Sequence, residues 1–533
     1  MVKKIISLFI IFLLLSFTLG CANPQQIKAK EYIDSGIEYA KVGNHYKALE
    51  DFNKAIEIYP KGAEGYYNRG LVYYEMKNYN ASLSDYNKAI EIKPKYAQAY
   101  ENRGIIYSNN GDLNRAISDF NTVINLGESS SKTYKNLGII YLKRKDYNLA
   151  LNDFNISIGM DPNNSDAYYG RGAVYHTLGE SQRAFLDYNK SIEINPTYVS
   201  VYEDRGLLYL TEGEYHNGLL DLNKAISIDP NSERAYSIRA SLYSSQKQYN
   251  KALSDINKAI QLNPNLLEQY IFRGLIYIAQ EDFEKASSDF TNAINLNSEY
   301  SLAYYSRGCC YAYQGDFNNA LLDFKKTIDI DPKFAPAYSD IGTIYVLKGE
   351  YDKAILECNK AIEIDSTYFP GYNTRGLAYL YKEKYNKAVS DFSTVIDLNP
   401  EYVGGYFNRA NAYNVKKEYQ KAINDLNKAL SLDPKNIFLY YYRGLTYVQI
   451  NDYDNALSDF DKILTIDPKS AIAHQGKFLV YMMKGEFTRG FEELALACKL
   501  DPNFCSTSGT ISMTVPEEDK NKILEIIKYI TKG

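Results

Sequence analysis

Aromatic, small and apolar residues return along this chain every 34 positions, in an unbroken run of fourteen units from Ala29 to Phe504. With the positions of a unit numbered 1 to 34, position 4 is Tyr in the first thirteen units, from Tyr32 to Tyr440, and His474 in the last. Position 11 is Tyr in all fourteen. Position 8 is Gly in eleven, with Ala240, Ala410 and Phe478 in the others, and position 20 is always Ala, Ser or Gly. Positions 4, 8 and 11 share one face of a helix, and positions 20, 24 and 27 share one face of a second. Short segments such as "KGE", "NGD" and "QGD" predict the turn between them, and Pro at position 32 ends the second helix. Small residues at 8 and 20 let the two helices approach closely. A lone hairpin of this kind cannot bury its apolar face, whereas a stack of them forms a continuous core. The pattern therefore predicts an all-α chain of fourteen stacked helix-turn-helix units.

This pattern resembles the tetratricopeptide repeat family, which has an aromatic at position 4, Gly at 8, Tyr at 11, Ala at 20, Phe or Tyr at 24, Ala at 27 and Pro at 32. The fourth unit carries nearly all of it: Tyr134, Leu137, Gly138, Tyr141, Ala150, Phe154 and Pro162, with Ser157 at position 27. The resemblance spans residues 29–504. It implies a right-handed superhelical solenoid whose first helices line the concave side, and a protein or peptide partner held there. Some members grip chaperone C-termini with Lys at position 5 and Asn at position 9 of one unit. Here Lys135 is followed by Ile139, so that clamp is absent.

One feature departs from the family. Ten units carry Arg at position 7, where Leu is commoner, and twelve carry Asp at position 23. The two units with Glu357 and Glu493 in place of that Asp lack the arginine and have Ile341 and Lys477. The arginines would be a row of cations offered to an anionic ligand, or a ladder of Arg–Asp pairs orienting successive helices. The matching row of acids favours the ladder.

Positions 2, 5, 9 and 12 are not needed for packing in the family and face the groove. From the eighth unit onward they are mostly apolar or aromatic: Ile271, Leu275 and Ile278, then Tyr305 with Ala312, and Val346. Leu377, Leu380 and Phe407 follow, and then Tyr441, Leu445 and Val448. Asn373, Asn411 and Asn414 add amides suited to a peptide backbone. These thirteen residues, excluding Ala312 and Val346, are the candidate peptide-binding set. The alternative is that the apolar ones pack within the superhelix.

The N-terminus has a different composition. Lys3 and Lys4 precede "IISLFIIFLLLSFTLG" and Cys21. The apolar run from Ile5 to Leu19 is shorter than the roughly 20 residues of a comfortable membrane span and suits a secretory signal. Leu19, Gly20 and Cys21 resemble the bacterial lipoprotein box, with Thr18 where Leu is usual. That resemblance implies a signal peptide at 1–20, lipidation of Cys21 and a tether at 21–28. An ordinary signal peptide or an uncleaved anchor with an incidental cysteine is the alternative. After Phe504, residues 505–516 read as a loop. Residues 517–533 read as an amphipathic helix, with Ile523, Ile526, Ile527 and Ile530 on one face, capping the last exposed core.

Overall composition adds mainly exclusions. Fifty-three Tyr and no Trp fit one motif copied many times, and a net charge of −5 gives no general drive toward nucleic acid. No phosphate loop, nucleophile elbow or metal-spaced cluster is found, and His45, His176, His216 and His474 lie in separate units. Neither an enzyme, a cofactor, a metal nor a small-molecule substrate is expected. Cys309 and Cys310 read as buried thiols; Cys498 and Cys505 have the option of pairing across the last turn in an oxidising compartment, with unpaired thiols the favoured expectation. The expected function is a non-catalytic scaffold, tethered outside the cytoplasm in the cell envelope, that holds a protein segment in its groove. The alternative is an accessory subunit that organises an envelope or secretion enzyme complex through its outer surface.

Overall fold

A computed structural model of the protein describes residues 23–501. Cys21, Cys505, the expected signal, the 505–516 loop and the 517–533 helix lie outside the described residues. All 28 elements within them are α-helices. The chain divides after Pro264 into two compact bodies, near the end of the seventh repeat. Each body is a stack of helix-turn-helix repeats.

In the second repeat the first helix is Ala63–Glu75 and the second is Tyr79–Ile92, and the others keep this frame closely. The turn is built the same way throughout. Position 15 has a positive φ in all fourteen repeats: seven are Gly, such as Gly43 and Gly315, and seven are Lys, Glu or Asn, such as Lys77 and Asn451. The left-handed residue lets its own N–H and that of the next residue reach back to carbonyls the helix would leave bare. Lys77 N donates to the Tyr74 carbonyl at 2.9 Å and Asn78 N to the Tyr73 carbonyl at 2.8 Å. The second helix then starts on a capping side chain in several repeats, with Asn44, Asn78 and Asp112 accepting the N–H three residues on.

The core explains the glycines. Position 8 lies against the side chain at position 24, a ring in most repeats. A Cβ on Gly70 would sit 2.8 Å from the Tyr86 ring, and one on Gly308 would sit 2.7 Å from the Phe324 ring. Ala240, Ala410 and Phe478 replace Gly only where position 24 is aliphatic: Ile256, Leu426 and Leu494. Rings at position 24 are among the largest fully buried side chains, including Phe52, Phe120, Phe154, Phe290, Phe324, Phe392 and Phe460. Successive repeats share clusters. Ala320 and Phe324 of the ninth, for example, pack with Ala337, Ile341 and Ile344 of the tenth.

Tyr at positions 4 and 11 has a role beyond filling space. Its rings flank cations: Arg69 lies 5.6 Å from the Tyr66 ring and 5.9 Å from the Tyr73 ring, and Lys251 lies 5.3 Å from the Tyr243 ring.

Candidate functional site: the first-helix face

The arginine ladder is architecture. All ten position-7 arginines make a two-pronged pair with the position-23 aspartate of their own repeat. In the ninth, Arg307 Nε and Nη2 donate to Asp323 at 2.8 and 2.9 Å. The third prong ties repeats together: Arg103 Nη1 donates to Asn87 of the preceding repeat at 2.6 Å, and Arg307 Nη1 to Thr291 at 3.0 Å. With their acids buried beside them, these cations are not a row offered to a ligand. Departures from the rule are handled locally. Ser35 Oγ donates to Asp51 at 2.6 Å, and Lys477 meets Glu493 at 3.0 Å while His474 Nδ1 lies 2.6 Å from the same acid. Among the described residues Asp153, opposite Leu137, has only the Asn152 amide at 3.2 Å, and burial pushes its pKa above the usual carboxylate range.

The first helices of successive repeats lie side by side, as Ala335–Leu347 does against Phe369–Tyr381. Their shared face is where the candidate binding residues fall. Ile271, Leu380 and Val448 are buried between repeats. Leu275 is 49% exposed, while Ile278, Leu377, Phe407, Asn411 and Leu445 are half-buried. The polar candidates are partly engaged with neighbours. Asn373 Oδ1 accepts from Asn408 at 2.9 Å, and Asn414 Nδ2 donates to Thr446 at 2.9 Å.

Position 5 does pack, contrary to the expectation from the family pattern. The Tyr305 ring lies 5.6 Å from Phe324 and 4.8 Å from Phe334, and its hydroxyl donates to Asp340 of the next repeat at 2.8 Å. Tyr441 lies 6.0 Å from Phe460 and donates to Gln475 at 3.1 Å. In the first body Tyr67 and Tyr169 are held alike, the first accepting from Asn102 and the second donating to Asp204. Sequence reasoning missed this series, although an aromatic at position 5 followed 34 or 35 residues later by a polar residue was visible.

The two bodies differ around the acidic members of the series. Asp204 and Glu203, both buried, are met by Arg234 of the seventh repeat, and Ser232 Oγ donates to Glu203. The guanidinium reaches Glu203 at 3.0 Å and Asp204 through its other nitrogen. Elsewhere in the first body, a polar cavity of about 610 Å³ opens between the fourth and fifth repeats, lined by Ser131, Lys135, Asn164 and Asp166 among others.

Cys309 and Cys310 are free thiols, as is Cys358; burial pushes all three up to about 12. Cys498 is disulfide-bonded. Among the described residues, no group of three or more His, Cys, Asp or Glu is placed to hold a metal ion, and no helix is long and apolar enough to cross a membrane.

Family profiles described as tetratricopeptide repeat match residues 63–96, 165–198, 233–266, 301–334 and 404–436. Others of the same description match 85–118, 199–232, 268–300, 335–368, 369–402 and 439–470, and one described as TPR repeat matches 36–77. The chain belongs to the tetratricopeptide repeat family. It is similar to a tetratricopeptide repeat protein 36 homolog of Nematostella vectensis, at 48% identity over 48 residues, 9% of this chain. The match covers 26% of that protein's length. Among solved structures it is similar to the APC/C hetero-tetramer Cut9-Hcn1, at 14% identity and a TM-score of 0.42 over 87% of this chain and 98% of that one. Yeast Tom70 matches at 16% identity and a TM-score of 0.38, over 79% and 96% of the two chains. YrrB, described as a TPR protein with an unusual peptide-binding site, matches at 23% identity and a TM-score of 0.30, over 37% and 97%.

Proposed function

We propose that this protein is a non-catalytic scaffold, tethered to a membrane of the cell envelope, that holds an extended or helical protein segment along the first-helix face of its second body. One observation carries the reading. Leu275 of the eighth repeat, and Leu377, Phe407 and Leu445 of the eleventh to thirteenth, keep part of their apolar surface in solvent on the first-helix face, the last three while packed against the core. An apolar row that rests on the core yet stays partly open to solvent is a surface suited to a partner. Attachment rests on the Leu19-Gly20-Cys21 box.

A second reading has its own observation. Leu186 and Leu220 in adjacent repeats of the first body, and Leu322 and Leu356 in the second, stand 56–69% exposed at position 22 of the second helices. These doublets favour an accessory subunit that docks through the outer surface.

One pull-down from membranes separates the two. Leu275→Ala, Phe407→Ala and Leu445→Ala together should weaken capture of the groove partner by on the order of 1–2 kcal/mol for each anchor that is a hot spot. Leu322→Ser with Leu356→Ser should leave it unchanged, and the reverse result assigns the function to the outer face. Cys21→Ser should move the folded protein to the soluble fraction, whereas full membrane retention with no lipid on the mature N-terminus removes the tether from the proposal.

A further inference from the structure

The two bodies contain the same device with one part exchanged. In the first, Tyr169 sits against Tyr188 and Tyr198 and donates to Asp204 at 2.7 Å. In the second, Tyr305 sits against Phe324 and Phe334 and donates to Asp340 at 2.8 Å. The two sets are four repeats apart and correspond residue for residue. The surroundings do not. Arg234, which reaches Asp204 from position 2 of the following repeat, corresponds to Pro370; Glu203 corresponds to Ser339, and Ser232 to Tyr368.

Asp340 is thus left with the tyrosine and without the guanidinium. Among the described residues, Tyr305 provides its one hydrogen bond and no ion pair includes it. Cys309, Cys358 and Tyr368 are the other titratable groups that feel its charge, and none supplies a positive one. Burial holds its carboxyl above the usual range, yet Asp340 is less buried than Asp204 and retains access to solvent. It lies on the first-helix face, one position after the candidate set, between Tyr305 and Asn373 in chain order. A carboxylate in low dielectric without a cation is costly, and an incoming guanidinium would relieve that cost while making charge-assisted hydrogen bonds.

We propose that Asp340, positioned by Tyr305, receives an arginine side chain of the bound protein segment, taking from the partner the guanidinium that Arg234 supplies internally in the first body. This deepens the groove-binding reading and rests on it. Charge and geometry select the occupant: the internal template is a guanidinium approaching the same Tyr–Asp pair along the same face.

The test uses the full chain and peptides selected from a random displayed library. Each binder that contains arginine is compared with its citrulline counterpart, which keeps the shape and loses the charge. Arginine should be enriched at one register, and citrulline there should weaken binding about tenfold or more. Asp340→Asn should weaken the arginine peptide equally and abolish the difference from citrulline. Pro370→Arg with Ser339→Glu rebuilds the internal arrangement and should also exclude the peptide arginine, with circular dichroism confirming the fold of each variant. If Asp340→Asn and the double variant bind arginine peptides within twofold of the parent while Leu275→Ala and Leu445→Ala weaken them, the groove stands and the Asp340 inference falls. If binders ignore Leu275, Phe407 and Leu445 as well as Asp340, both readings fall.

Discussion

Replacing Arg103 with Leu tests what the ladder contributes, because the chain contains its own control. Arg103 Nε and Nη2 donate to Asp119 at 2.8 and 2.6 Å, and Nη1 donates to Asn87 at 2.6 Å. Its side chain is 17% exposed and that of Asp119 6%. With Leu at 103, Asp119 would stand as Asp153 does opposite Leu137, buried and without a cation. Breaking a buried pair costs about 3–5 kcal/mol, and Arg103 lies near solvent, so the expected loss at pH 7 is about 2–3 kcal/mol. The loss should depend on pH. Burial raises the folded pKa of Asp153, the natural case of such an unpaired acid, above the unfolded carboxylate value of about 3.9, and the variant should behave alike. Below about pH 4 both states hold the proton and the carboxylate penalty disappears. As pH rises through the raised folded pKa, the unfolded state has already ionised and stability is lost. Adding Asp119→Asn should recover part of the deficit and flatten the pH dependence. Urea unfolding from pH 4 to 8 measures the total, and hydrogen exchange assigns it to the second to fourth repeats, because a solenoid opens repeat by repeat. A deficit below about 0.5 kcal/mol, or one equal at pH 4 and pH 8, would refute the reasoning.

Two other substitutions probe the core. Tyr188 is fully buried and its hydroxyl has no hydrogen-bond partner, while Phe occupies this position in seven other repeats. Tyr188→Phe should therefore stabilise by about 1–2 kcal/mol in thermal or urea unfolding, and a loss instead would mean that the hydroxyl is satisfied in solution. Gly308→Ala places a Cβ 2.7 Å from the Phe324 ring and should cost about 1–3 kcal/mol, with Phe324→Leu in the same chain restoring much of it. An unchanged midpoint for the single substitution would mean that the helices separate freely.

The sequence by itself determined the fold because one short unit is written fourteen times. A ring at position 24 demands glycine at position 8, and even the exceptions at Ala240, Ala410 and Phe478 keep that rule. The pairing of Arg with Asp was legible for the same reason: periodic contacts leave periodic residues. The first-helix face was legible only as a set of positions. Leu275 and Val448 look alike in the sequence, yet one is half exposed and the other is 5% exposed, because burial there depends on the neighbouring repeat's side chains. The state of Asp340 was out of reach for a sharper reason. Its neighbours come from the repeats on either side, and the missing partner is evident only when Arg234 is seen reaching Asp204. A row of positions says which side chains face the same way; only the tertiary structure says which of them find a partner within hydrogen-bond reach.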